Sequence, residues 1–98
     1  MAGDRYEFRA ELWRYDGPAG WHFVSLPTEM AEDIREQLAL NASAFGSIPV
    51  EATIGSTQWA TSLFPDKTRR TYLLPVKKGV RVVEDIETGD VVLVSLRI

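Results

Sequence analysis

A small, mainly β domain of α+β character, with about six strands and two short helices, is what this sequence predicts, and three observations predict it. Residues 5 to 12 set Arg5, Glu7, Arg9 and Glu11 strictly against Tyr6, Phe8, Ala10 and Leu12, a period of two that gives one wet and one buried face. The closing run from Val91 to Ile98 opens on Val-Val-Leu-Val, β-branched residues that suit a pleated surface. Between such runs stand Asp16-Gly17-Pro18, Gly55-Ser56 and Gly89-Asp90, the punctuation of turns.

After the first strand, Trp21 to Leu26 forms a second apolar run that ends at Pro27, close enough to pair with the first as a hairpin. Thr28 is placed to cap a helix whose first turns carry Glu29, Glu32 and Asp33, carboxylates that favour the positive end of the helix dipole. Met30, Ile34 and Leu38, with Ala31, make its apolar stripe, so this helix should lie on a sheet or barrel end with its acidic side in water. It ends near Leu40-Asn41, and residues 41 to 49 read as a loop.

Val50, Ala52 and Ile54, then Trp59, Thr61 and Leu63, predict a second hairpin around Gly55-Ser56, closed by a turn at Pro65-Asp66. Thr71 to Leu74 is a fifth strand, Val76 to about Val83 a short helix, and Val91 to Ile98 the last strand. Leu26-Pro27 and Leu74-Pro75 each stand between a strand and a helix, which suggests a duplicated strand-proline-helix unit, since proline near a helix start removes a donor that has no partner there. In Gly89-Asp90 the glycine suits positive φ and the aspartate suits bonding to the turn backbone.

With 98 residues the chain fits one domain, residues 1 to 98, and most of its large apolar side chains must serve a single core. Cysteine is absent, which excludes disulfides, thiolate metal sites and a thiol nucleophile. The first residues are charged and no apolar run approaches the roughly 18 residues of a spanning helix. The expectation is a cytoplasmic protein with no membrane attachment.

A net charge of −3 hides an asymmetry, since residues 1 to 66 hold 4 Lys/Arg against 10 Asp/Glu whereas residues 67 to 98 hold 7 against 4. An acidic whole disfavours a general nucleic-acid binder, but charges farther apart than about 10 Å are largely screened at 0.1 M salt, so a local basic patch can still act. The second half concentrates Lys67, Arg69, Arg70, Lys77, Lys78 and Arg81 within fifteen residues. If the turn after Pro65 and the helix after Pro75 share a face, these cations present a patch to phosphates or to an acidic protein. As solvated charges around a hairpin and a helix, partly neutralised by Glu84 and Asp85, they have a purely structural reading too.

No catalytic constellation emerges. His22 is the only histidine and sits inside a strand between Trp21 and Phe23, where a surface or satisfied core imidazole is expected. One histidine and no cysteine leave a metal site to carboxylates alone, and neither a metal nor a cofactor is expected. Glu29, Glu32, Asp33 and Glu36 read as a wet helix face, and Glu84, Asp85 and Glu87 as a polar loop. Trp13, Trp21 and Trp59 have a reading as stacking platforms for bases or sugars, but Trp21 and Trp59 are expected in the core, because burying a tryptophan removes roughly 150 to 250 Å² from water.

Taken together, Trp21-His-Phe-Val-Ser-Leu-Pro27, Val50-Glu-Ala-Thr-Ile-Gly55, Trp59-Ala-Thr-Ser-Leu63, Tyr72-Leu-Leu-Pro75-Val-Lys-Lys78, Arg81 and Gly89-Asp90-Val-Val resemble the DUF1905 family of small, mainly bacterial domains. The resemblance runs through nearly the whole chain and implies a small double-split β-barrel capped by helices, a fold shared with dimeric DNA-binding domains of transcription factors and antitoxins. It implies no established activity. Many relatives continue after Arg81 with Lys-Ala, where this chain has Val82-Val83-Glu84-Asp85, one cation fewer and two anions more.

The expectation that follows is a non-enzymatic binding or scaffolding module of unknown partner. One alternative is a nucleic-acid or anionic-polymer binder acting through Lys77, Lys78, Arg81, Arg69 and Arg70. Another is a small-ligand protein or enzyme using a barrel pocket lined by Trp59, Thr61, Ser62 and Tyr72. Partners in view are an acidic protein, a nucleic acid or a second copy, since the exposed edges of a split barrel invite pairing.

Overall fold

Two strands of this chain each serve two halves of one barrel, and that sharing organises everything else. The computed structural model describes residues 5 to 40 and 46 to 98. In chain order the elements are β1 (Arg5–Glu11), β2 (Trp13–Arg14), β3 (His22–Ser25), α1 (Thr28–Leu40), β4 (Ile48–Ile54), β5 (Thr57–Asp66), β6 (Thr71–Pro75), α2 (Lys78–Glu84) and β7 (Val91–Arg97). The sheet order is β1-β7-β4-β5-β6-β3-β2, and every pairing is antiparallel.

β5 is the first shared strand. Its residues Thr57 to Leu63 pair with β4, and Phe64 to Asp66 pair with β6. The second shared segment runs from β1 through Leu12 into β2: β1 pairs with β7, while Trp13 and Arg14 pair with Phe23 and His22 of β3. Leu12 itself is fixed to the turn before β7, its N–H donating to the Asp90 carbonyl and its carbonyl accepting from Gly89 N–H, both at 2.8 Å. Because β1 and β2 stand at opposite ends of the sheet order yet are adjacent in the chain, the sheet nearly closes into a barrel, as the double-split architecture requires.

The interior is packed with side chains. Leu12, Val24, Ile34, Leu63, Leu74 and Val94 are fully buried and join one cluster with Val50, Ala52, Val76, Val80 and Leu96. The alternation of the first strand is reproduced, with Phe8 and Leu12 buried and Tyr6 and Ala10 packed against the cluster. In α1, Ala31 and Ile34 are buried and Met30 and Leu38 pack beside them. Tyr6 donates its hydroxyl to Asp33 Oδ2 at 3.0 Å, tying β1 to the acidic side of the helix.

Several expectations are corrected. β1 forms no hairpin with β3; its partner is β7, and only the two-residue β2 pairs with β3. With that separate β2 the described residues hold seven strands, in keeping with the expected small barrel of about six. Thr28 does not cap α1, because Ala31 N–H donates to the Pro27 carbonyl at 3.0 Å, which puts Pro27 in the capping position and Thr28 first in the helix. Ile48 and Pro49, expected in a loop, begin β4, and residues 41 to 45 of that loop lie outside the described residues. Pro65 and Asp66 are still strand residues; β4 has ended by then, so an edge that can accommodate proline is available. The turn is Lys67 to Arg70, where Asp66 Oδ1 accepts from the N–H groups of Thr68 and Arg69.

The duplicated strand-to-helix order is visible. β3 and β6 are antiparallel neighbours around the Val24–Leu74 pair, with Leu26 N–H donating to Tyr72 and Val76 N–H donating to His22 at the two ends. The helices leave from opposite ends of this pair. Equivalence stops there, because Pro75 stands inside the ladder opposite Phe23 whereas Pro27 lies past it.

Two turns are set by backbone chemistry. Gly55, at φ 58, is the first of two residues linking Ile54 to Thr57, the position where a primed hairpin turn needs positive φ. A Cβ there would collide with the Glu84 carboxylate, which accepts a 2.6 Å hydrogen bond from Thr57 Oγ1. Gly55→Ala therefore carries both a left-handed backbone cost and displacement of that carboxylate; a loss of about 2 kcal/mol is expected in a thermal melt. At the far end of α2, Asp85 takes φ 53, with its N–H on the Val82 carbonyl and Ile86 N–H on the Arg81 carbonyl, a Schellman stop that glycine fills without strain. Asp85→Gly removes that strain and a negative charge from the negative end of a helix, so a gain of about 1 kcal/mol is expected, read as a higher urea midpoint.

Candidate functional site

The split in the barrel creates the cleft. On one side β5 pairs with β4 from Thr57 to Leu63, but on its other side pairing with β6 begins only at Phe64. The edge of β5 through residues 59 to 62 therefore faces an opening rather than a neighbouring strand. Across it stand the start of β3, the end of β6 and the first turn of α2. These segments enclose a surface cleft of about 620 Å³, within the size range of ligand sites.

Its walls combine two chemistries. Trp21, Trp59 and Phe64 supply aromatic surface, while Lys77, Lys78, Arg81, His22, Thr61 and Ser62 supply polar groups. Among the described residues, no aspartate or glutamate lines it. Arg81 is held in place by its Nε, which donates to the Val76 carbonyl at 3.2 Å. His22 Nδ1 lies 2.8 Å from the Gly20 carbonyl, and since a carbonyl only accepts, Nδ1 carries a proton.

The expected basic cluster divides in two. Lys77, Lys78 and Arg81 line the cleft. Arg69 does not: its guanidinium binds Asp66 Oδ2 at 2.8 Å and lies 4.7 Å from the centre of the Trp13 ring. This hydrogen bond is the main cause that holds the Asp66 carboxyl below its ordinary pKa, against the opposing effect of desolvation. Arg70 occupies the left-handed turn position at φ 58 before β6. Arg70 and Lys77 are at opposite ends of β6, about 20 Å apart at strand rise, so the two groups act separately at ordinary salt.

Glu84 and Asp85 do not neutralise the cleft. Glu84 accepts from Thr57, Asp85 forms the helix stop, and among the described residues neither makes an ion pair with Lys77, Lys78 or Arg81.

The expected pocket residues divide as well. Trp59, Thr61 and Ser62 line the cleft, with Trp59 largely buried at 8% exposure. Tyr72 does not line it; it belongs to the core, with the Arg35 guanidinium 5.9 Å from its ring centre. The concave space lies in the split, outside the filled barrel interior.

Trp21 overturns its expected burial. It is 52% exposed and stacks on Phe23, with ring centres 6.0 Å apart and planes 6° from parallel. Along β3, Val24 and Leu26 face the core, so Trp21 and Phe23 fall on the outer face, where Phe23 also meets Trp13 and Tyr15. Trp13 is steadied by Nε1–H donating to Ser25 Oγ at 3.0 Å. Tyr15, Trp21, Phe23, Phe64 and Leu73 border a second, apolar hollow of about 320 Å³ that shares Trp21 and Phe64 with the cleft.

Among the described residues, no group of three or more histidine, cysteine, aspartate or glutamate side chains is placed to hold a metal ion. No described helix is long and apolar enough to cross a membrane.

Comparison with known proteins adds the family. Among curated proteins none matches the chain. Residues 8 to 96 match the sequence model of DUF1905, a domain of unknown function. That match spans β2 to β6, all but the last residue of β7, both helices and the cleft between them, and the chain belongs to the DUF1905 family.

Proposed function

We propose that this domain is a cytoplasmic, non-enzymatic binding module whose cleft takes an anionic ligand. The observation that carries this reading is the convergence of Lys77, Lys78 and Arg81 on one cleft with no carboxylate among the described residues of its lining. Three cations brought together without counter-charges raise the local potential although the whole chain is acidic, because distant charges are screened. Thr61 and Ser62 add hydroxyl donors on the facing edge, and Arg81 is already oriented by its bond to Val76, which lowers the ordering cost of binding.

Polyphosphate is a suitable probe, because it offers the anion without any other recognition element. Trp21 and Trp59 border the cleft, so their fluorescence reports occupancy. Addition of polyphosphate at low salt should change this emission saturably, and the affinity should fall steeply as salt is raised. An emission unchanged at low salt overturns the proposal.

A further inference from the structure

The cleft and the aromatic hollow share a ridge, Trp21 and Phe64, with cations on one side and apolar surface on the other. Trp21 is a prepared platform: Phe23 backs it in a near-parallel stack, Tyr15 meets Phe23 edge-on at 90°, and the residue remains about half exposed. Phe64 is also exposed, at 42%. Contiguous exposed apolar surface on a monomer marks interaction sites, and here the aromatics adjoin Lys77, Lys78 and Arg81.

We propose that the ridge and cleft together bind single-stranded nucleic acid, with a base stacked on Trp21, a second against Phe64, and the intervening phosphates on Lys77, Lys78 and Arg81. This inference rests on the anionic-ligand reading of the cleft and names its ligand. Flat aromatic surface beside cations matches the alternation of base and phosphate along an unpaired strand. A duplex keeps its base faces stacked on one another and cannot offer them to Trp21. A small free anion suits the site less well, because a small-molecule pocket encloses most of its ligand and this cleft is open along its length, running into the hollow beside it. Thr61 and Ser62 serve as neutral donors to phosphate or sugar oxygens.

Fluorescence anisotropy with a labelled eight-nucleotide thymidine strand tests the idea, with an abasic strand of equal length, a duplex and an acidic peptide containing tyrosine as the other ligands. The thymidine strand should bind about tenfold more tightly than the abasic strand. Trp21→Ala should reduce that advantage several-fold, and so should Phe64→Ala. Three phosphate contacts predict a slope of about −2 for log affinity against log salt. Equal binding of thymidine and abasic strands overturns the stacking inference while leaving the anionic cleft standing; so does preference for the duplex or for the peptide. If neither strand nor polyphosphate binds at low salt, the cleft reading fails and this inference with it.

Discussion

Leu74→Ala should lower stability by about 3 to 4 kcal/mol, a large part of the 5 to 15 kcal/mol typical of a domain. Leu74 is fully buried and stands opposite Val24, itself fully buried, in the β3–β6 ladder. β6 lies between β5 and β3, so truncation leaves a void at the junction of the two barrel halves where neighbouring strands cannot easily collapse. Its neighbour Leu73 is the matched control, since it points to the outer hollow and is only half-buried. Leu73→Ala should cost about 1 kcal/mol or less. Urea denaturation checks both, with the Leu74 variant losing midpoint at an unchanged slope.

The charge-reversal pair Lys77→Glu and Lys78→Glu, made together, should weaken polyphosphate binding on the order of 100-fold or more, because like-charge juxtaposition costs several kcal/mol. Both lysines are exposed and neither is in an ion pair among the described residues, so the fold should keep its stability to about 0.5 kcal/mol. Arg70→Glu changes charge in the same direction at the far end of β6 and should leave affinity within about twofold, because it lies beyond the screening length from the cleft. Retained binding in the double variant, or an equal loss in Arg70→Glu, would show that overall charge and not the cleft governs association.

What the sequence made legible is the local part of the fold. The period of two in residues 5 to 12, the stripe of Ala31 and Ile34, the Gly55 hairpin and the Gly89-Asp90 turn all appear, and in the last of these Asp90 Oδ2 accepts from Glu87 N–H at 2.9 Å with Gly89 at φ 98. Pairing was less legible because it is not local. The alternation of β1 says which face is buried but not that its partner lies at the other end of the chain, with Phe8 opposite Val94.

The cleft shows the same division. Lys77, Lys78, Arg81, Trp59, Thr61 and Ser62 could be named from sequence by their residue types, but their convergence depends on β5 losing one neighbour before it gains the other. Arg69 and Arg70 are close to Lys77 in number and remote in space, since the strand between them is extended. Trp21 was misplaced because Trp21 and Phe23 on one face and Val24 and Leu26 on the other are all apolar, which reads as burial on both faces. The outward residues instead bury one another: Phe23 meets Trp13, Tyr15 and Trp21. The signal available was the parity of Val24 and Leu26, which assigns Trp21 and Phe23 to the opposite face.

Backbone amide NMR during a polyphosphate titration tests the anionic cleft most directly, because each side of the split reports separately. The account predicts saturable shifts at Thr61, Ser62, Lys77, Lys78 and Arg81, with residues 66 to 70 unmoved. Shifts confined to the 66 to 70 turn, or none at any residue at low salt, would contradict it.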